Sequence, residues 1–235
     1  MIIKFGTYKP QYYKGILEKA FLNIHTDIFN NILPFLSKES MILDFGCGEG
    51  AFSQRLKDNG FHVHSSDIDK EQFKATVDKF IHLDLNKEQI ADNFDIKYDV
   101  IIAMEIIEHL ENPWKFIRDI KSILNPGGLL VLSTPNISNF SSRIRFLQKG
   151  TFQGFEANDL SYGHITTITP FHLENIFKSE KFEIKKKMEL GKIPFFHFDN
   201  ISLFVILKTI FIPISYFFMQ GNKDSWCIGY ILINK

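Results

Sequence analysis

The chain has 235 residues, 45% hydrophobic and 23% charged, enough to bury one large core and too few for a second sizeable domain. Lysine plus arginine balance aspartate plus glutamate at 27 each, so no basic field points to a nucleic-acid partner. Two cysteines make no disulfide framework, and Met1-Ile-Ile-Lys-Phe-Gly lacks the charged, apolar and small-residue blocks of an export signal, so a reduced, cytoplasmic setting is expected.

Ile16, Leu17, Phe21, Ile24, Ile28 and Ile32 fall at helical spacing, which predicts two N-terminal helices within residues 1–37. The apolar run Met41 to Phe45 predicts a buried strand, followed by a helix over about 50–58 that Asn59-Gly60 stops. Phe61 to Ser66 and Lys79 to Leu85 predict the next two strands, ending near Asp67 and Asp84. Tyr98 to Met104 is apolar throughout and predicts a strand buried on both faces. A helix is expected from Pro113 to Leu124, a strand from Leu129 to Thr134, a helix from Thr169 to Ser179, and closing strands at Phe182–Leu190 and Trp226–Asn234. This alternation predicts one α/β domain: a ligand-binding core over 38–135, an insertion over 136–165 and a second, apolar insertion over 195–220.

The first strand runs into Gly46-Cys-Gly-Glu-Gly50, where glycines let the backbone approach a bound molecule. Gly46, Gly48 and Ala51 satisfy a lax dinucleotide pattern, G-x-G-x-x-A, which keeps a nicotinamide oxidoreductase open as an alternative. Asp44 and Glu49 argue against it, because two carboxylates repel a pyrophosphate and suit a ligand carrying an ammonium and a sulfonium. S-adenosylmethionine is such a ligand. Asp67, at a strand's C-terminal end, is placed to accept both ribose hydroxyls; its other reading is a cap for a helix starting near Lys70.

Leu43-Asp-Phe-Gly-Cys-Gly-Glu-Gly50 resembles the first motif of the class I S-adenosylmethionine-dependent methyltransferases, nearest the branch of the ubiquinone-biosynthesis O-methyltransferases. The resemblance covers roughly residues 38 to 190. It implies a Rossmann-like, seven-stranded, mostly parallel sheet with helices on both faces and N-terminal helices over the cofactor. It further implies cofactor contacts from Asp44, Gly46, Gly48, Asp67 and Met104, with Asp84 near the adenine amino group. One departure is that no arginine precedes Arg55, whereas the quinone enzymes usually carry a cofactor-facing arginine in that region.

Glu105-Ile-Ile-Glu108-His109 begins where the fourth strand ends, and a helical turn there would place Glu105, Glu108 and His109 on one face. Three titratable groups are too costly to bury unless a ligand, a metal or one another satisfies them. The run also resembles a motif of the small-RNA 2′-O-methyltransferases, in which two glutamates and a histidine join a distant histidine around a divalent ion. That resemblance implies a candidate metal set of Glu105, Glu108, His109 and His164. With no metal, His109 or His164 is the candidate general base and Glu105 its companion; the plainest alternative is that Glu108 and His109 only cap the next helix. The expected reaction is methylation of a hydroxyl on a small, quinone-like or glycan- or lipid-linked acceptor. N-methylation and a non-catalytic membrane-associated binding protein are the other readings.

Arg143, Arg145 and Lys149 interleave with Phe140, Phe146, Phe152 and Phe155, suiting either an acidic acceptor or a solvated helix face. Ile201 to Met219 carries one charge, Lys208, in a stretch about 28 Å long if helical. The strands on either side must pair, so a single membrane span is not expected, and Pro213 divides the stretch. With Lys185, Lys186, Lys187 and Lys192 upstream, 195–220 is expected to meet the inner face of a membrane peripherally, or else to serve as an apolar lid or dimer face.

Overall fold

The computed structural model describes residues 10–192 and 216–235. Seven strands form one sheet in the order β5-β4-β3-β6-β7-β9-β8, with β3 Met41–Phe45, β4 His62–Asp67, β5 Lys79–His82, β6 Tyr98–Met104, β7 Leu124–Pro135, β8 Phe182–Lys192 and β9 Ser225–Asn234. All neighbours are parallel except at β9, which runs antiparallel to both β7 and β8. The β8–β9 pairing required by the sequence argument is therefore present.

The alternation along the central strands fills two apolar layers. Leu43, Phe45, Ile101, Ala103, Leu130 and Leu132 pack against helices α3 (Pro113–Ile123) and α6 (Pro170–Ser179). Ile42, Val63, Val100, Ile102 and Val131 point to the other face and meet α1 (Ile24–Ile32) and α2 (Ala51–Asp58). Helix starts follow local chemistry: Asn112 Oδ1 accepts the Lys115 N–H at 2.9 Å and Thr169 Oγ1 the His172 N–H at 3.2 Å, each with proline next in the chain.

Three expectations are corrected. Residues 11–36 do not form two helices: Gln11–Tyr13 and Ile16–Glu18 form a hairpin, β1–β2, and only α1 and a short 3₁₀ turn, Leu33–Phe35, are helical. Lys14 and Gly15 both have positive φ, 49° and 83°, which suits a two-residue hairpin turn, and the β-favouring Tyr12-Tyr13 precedes it. Nor does any helix start near Lys70, since 68–78 is irregular, so Asp67 is not a helix cap. The third strand also stops at His82, leaving Asp84 two residues beyond it. Most of the apolar insertion expected over 195–220 lies outside the described residues, which resume at 216.

The insertion after β7 contains α4 (Phe140–Lys149) and α5 (Ala157–Leu160). Its root is tied to β9, because Asn136 Nδ2 donates to Asn222 O and Ser225 O at 2.8 and 3.1 Å. β3 and β6 lie side by side where the strand order reverses, and the crevice beyond their C-terminal ends is where an open α/β sheet binds ligands.

Candidate active site

The loop leaving β3 is held in a conformation that only glycine adopts cheaply. Gly46 and Gly48 have φ of +61° and +56°, and a Cβ at Gly46 would stand 2.5 Å from Ile106 Cδ1. Gly48 donates its N–H to Asp67 Oδ2 at 2.8 Å, so the end of β4 fixes the loop. The other Asp67 oxygen accepts from Asp69 N at 3.0 Å and Gln72 Nε2 at 3.3 Å. Lys19 crosses the same loop, with its Cδ 3.2 Å from where a Gly48 Cβ would be, and its ammonium bonds Gln72. Hairpin β1–β2, not a helix, thus delivers the covering segment.

Asp44 is 1% exposed, inside the core at the root of the loop. Ser65 Oγ donates to Ser53 Oγ at 2.8 Å, and Ser53 Oγ donates to Asp44 Oδ2 at 2.6 Å, locking α2 onto the strands. Burial pushes its carboxyl up to about 7, with Asp67 adding to the effect. Glu49 is spent on the hairpin and the irregular segment, accepting from Leu17 N at 3.3 Å and Lys74 Nζ at 2.6 Å. Met104 is buried at the end of β6 beside Ser133. Asp84 caps its own turn, taking Asn86 N at 3.0 Å and Lys87 Nζ at 2.9 Å.

Beyond β6 and β7 lies a cavity of about 640 Å³ whose walls include Glu105, Glu108, His109, His164, Trp226 and Cys227. The helical turn expected over Glu105–His109 is a 3₁₀ turn limited to Ile107–His109, and Glu105 precedes it with φ +49°. That left-handed backbone, strained for a residue with a side chain, separates Glu105 from the other two. Ser133 Oγ donates to one Glu105 oxygen at 2.7 Å and Cys227 Sγ to the other at 3.2 Å. Glu105 is therefore not a member of the cluster that could hold an ion.

That cluster is Glu108, His109 and His164, with one donor atom from each within 4.8 Å of the others. The His109 and His164 rings meet edge to face with centroids 4.8 Å apart. Glu108 is wholly buried; Thr134 Oγ1 donates to its Oε2 at 3.0 Å, while Oε1 has no partner. Its backbone carbonyl accepts from Ile165 N and Thr166 N, which carries the His164 loop to the site. Burial, reinforced by Glu105, raises the Glu108 carboxyl well above the usual range; burial also raises Glu105. His109 is held below the usual imidazole value by burial and then by the neighbouring His164. His164 Nδ1 lies 2.7 Å from Gly154 O, which can only accept, so Nδ1 donates and Nε2 is the ring nitrogen left for a ligand.

Basic residues of the insertion do not reach the cavity. Arg143 Nε donates to Ser138 O at 2.6 Å and Arg145 pairs with Glu156. Lys19, Phe21, Gln153, Trp226 and Cys227 line the cavity without having been anticipated. Only Trp226 and Cys227 carried a signal, their place at the start of the last strand.

A family model described as "Methyltransferase domain" matches residues 17–187. The chain belongs to this methyltransferase family, and the sheet order and glycine loop are consistent with it. It is similar to the ubiquinone biosynthesis O-methyltransferase of Aeromonas salmonicida, 32% identical over 102 residues, covering 40% of this chain and 43% of that protein. The enzyme of the same name from Xylella fastidiosa is 30% identical over 142 residues, 52% of this chain and 58% of that protein. The chain spans about half the length of the curated relatives it matches. Among solved structures, a SAM dependent methyltransferase from Archaeoglobus fulgidus has a TM-score of 0.62 at 16% identity, covering 89% of this chain and 92% of that one. Magnesium protoporphyrin IX methyltransferase from Synechocystis, with bound SAH, has a TM-score of 0.58 at 14% identity, covering 90% and 82%. These two share the fold.

Proposed function

We propose that the chain methylates a hydroxyl of a small, quinone-like or glycan- or lipid-linked acceptor with S-adenosylmethionine as the donor. The observation that carries this is an imidazole, His164, oriented by the Gly154 carbonyl on the wall of a cavity beyond the C-terminal ends of β6 and β7. The O-methyltransferase names of the relatives support oxygen as the receiving atom.

The residues fit the cofactor. Gly46 and Gly48 hold the positive φ that shapes the loop, Asp67 stands at the end of β4 to receive ribose hydroxyls, and Lys19 crosses the loop. Bound there, S-adenosylmethionine supplies an electrophilic methyl on a sulfonium. Asp44 acts one step back, fixing Ser53 and through it the start of α2. On the acceptor side, His164 accepts the hydroxyl proton at Nε2, its ring fixed by the Gly154 carbonyl. His109, kept neutral, buttresses that ring without adding a competing charge.

A divalent ion is the finer part of this reading. The unpartnered Glu108 Oε1, with His109 and His164 close by, has the mixed carboxylate and imidazole character that suits such ions. These three residues would hold it, and it would lower the pKa of an acceptor hydroxyl. Labelled methyl transfer with and without chelator separates the two versions. Loss with chelator and recovery with one divalent ion supports the metal, and full activity in chelator removes it. His164→Ala should abolish transfer in either case while S-adenosylhomocysteine still binds; undiminished transfer would refute the role of His164.

A further inference from the structure

Gln153, Gly154 and Glu156 form part of the cavity wall, and this stretch holds a polar atom that the fold leaves unused. Gln153 Oε1 is buried and has no hydrogen-bond partner, although Gln153 lines the cavity. Its backbone is not free to turn away. Gln153 N donates to Ser142 Oγ at 3.1 Å, and Ser142 is wholly buried in α4. The next carbonyl, Gly154 O, is the one that orients His164. The loop that sets the base therefore also sets this amide, and a buried amide oxygen with no partner is costly unless a ligand satisfies it.

The neighbouring charges specify the kind of ligand. Glu156 and Asp159 stand on the same wall, and they are engaged with the protein: Glu156 with Arg145, and Asp159 with the Glu156 N–H at 2.8 Å. Among the described residues lining the cavity, Lys19 is the one lysine or arginine, and it lies toward the glycine loop. Arg145 is paired with Glu156 and does not line the cavity, so no lysine or arginine of the wall beside Gln153 neutralises a phosphate or carboxylate, whereas a primary amide matches a hydroxyl or an amide with no charge to balance.

We propose that Gln153 is a specificity residue that hydrogen-bonds a second, uncharged polar group of the methyl acceptor, one distinct from the hydroxyl facing His164. The acceptor class is then a neutral molecule with at least two hydrogen-bonding groups, such as a diol or a hydroxylated amide. The inference rests on the methyltransferase reading above and deepens it.

The test uses the full chain, methyl-labelled S-adenosylmethionine and organic-soluble and aqueous cell extracts as the source of acceptor, with half-saturation read from extract dilution. Gln153→Ala is expected to require about five to ten times more extract for half-saturation, with the effect on turnover at saturation much smaller, because one neutral hydrogen bond is removed. Gln153→Asn, which keeps the amide on a shorter stem, should recover part of the loss, and S-adenosylhomocysteine binding should match wild type in both. Unchanged half-saturation in Gln153→Ala, or a loss confined to turnover, overturns the inference and leaves the methyltransferase reading intact. Failure of the wild-type chain to label anything in either extract overturns both. A labelled product that proves to be a phosphate or carboxylate anion also overturns the inference.

Discussion

Asp67 and Glu105 are both carboxylates at the C-terminal ends of strands, yet the structure gives them different work. Asp67 keeps an exposed edge while holding the Gly48 amide, so it can serve loop and ligand together. Glu105 is consumed by Ser133 and Cys227. Asp67→Ala is expected to weaken S-adenosylhomocysteine binding by about 1.5–3 kcal/mol, the value of a charge-assisted hydrogen bond. Calorimetry on the folded variant checks it, and unchanged affinity would remove Asp67 from the site. A second residue-scale expectation concerns pH. His25 is 7% exposed beneath the hairpin, its Nδ1 has no partner, and burial, then Arg55, lowers its pKa to about 3. The unfolded chain binds this proton near 6.5, so between 6.5 and about 3 the unfolded state holds more protons and falling pH destabilises the fold. Asp44 works the other way: its proton is held up to about 7, so its contribution is present at low pH and lost as pH rises from 3.8. The two slopes oppose each other, and only a comparison isolates one. Relative to wild type, His25→Phe should gain about 1.4 kcal/mol per pH unit below 6.5, on top of a pH-independent packing offset. Denaturant melts at pH 7 and pH 5 measure this; a constant difference between the two proteins would contradict it.

At the scale of elements, the hairpin β1–β2 is the part that sequence periodicity misjudged. Ile16, Leu17 and Phe21 do fall at helical spacing, but Tyr12-Tyr13 and the Lys14-Gly15 turn direct 11–18 into strands, and a two-stranded unit can be held by side chains far away in sequence. Here Arg55 of α2 pairs with Glu18 at 2.7 Å, both largely buried, and its guanidinium lies 4.5 Å from the Tyr13 ring centre. Glu18→Ala leaves that guanidinium unpaired and should destabilise the hairpin by about 3 kcal/mol. Hydrogen exchange should then quicken over 11–18 while β3 to β7 stay protected; equal protection in both proteins would show that the ion pair does not hold the hairpin. The sheet was legible because β3, β6 and the second half of β7 are largely apolar runs between turn residues. The glycine loop was legible because its function requires glycines. The cavity wall was not, since Lys19, Gln153 and Cys227 come from three distant segments and no spacing links them. The direction of Glu105 was hidden for another reason: a left-handed φ at a non-glycine residue leaves no mark in the sequence.

For the whole molecule, the described end of the apolar insertion carries an aromatic pair. Phe217 and Phe218 are 81% and 76% exposed, and among the described residues no helix is long and apolar enough to cross a membrane. We propose a peripheral contact through 195–220, on the exposed aromatic pair and the lysines upstream. Phe217→Ser with Phe218→Ser should reduce sedimentation with anionic vesicles, wild-type binding should fall with added salt, and S-adenosylhomocysteine affinity should not change. Wild-type protein that ignores anionic vesicles at low salt would dispose of the contact.

One experiment bears directly on the proposed transfer of a methyl group to oxygen. The full chain is incubated with methyl-labelled S-adenosylmethionine and the same extracts, and the atom carrying the label in the product is determined by mass spectrometry and NMR. The account predicts a label on oxygen, made by the wild-type chain and not by His164→Ala. A label on nitrogen, or equal labelling by the two proteins, would contradict it.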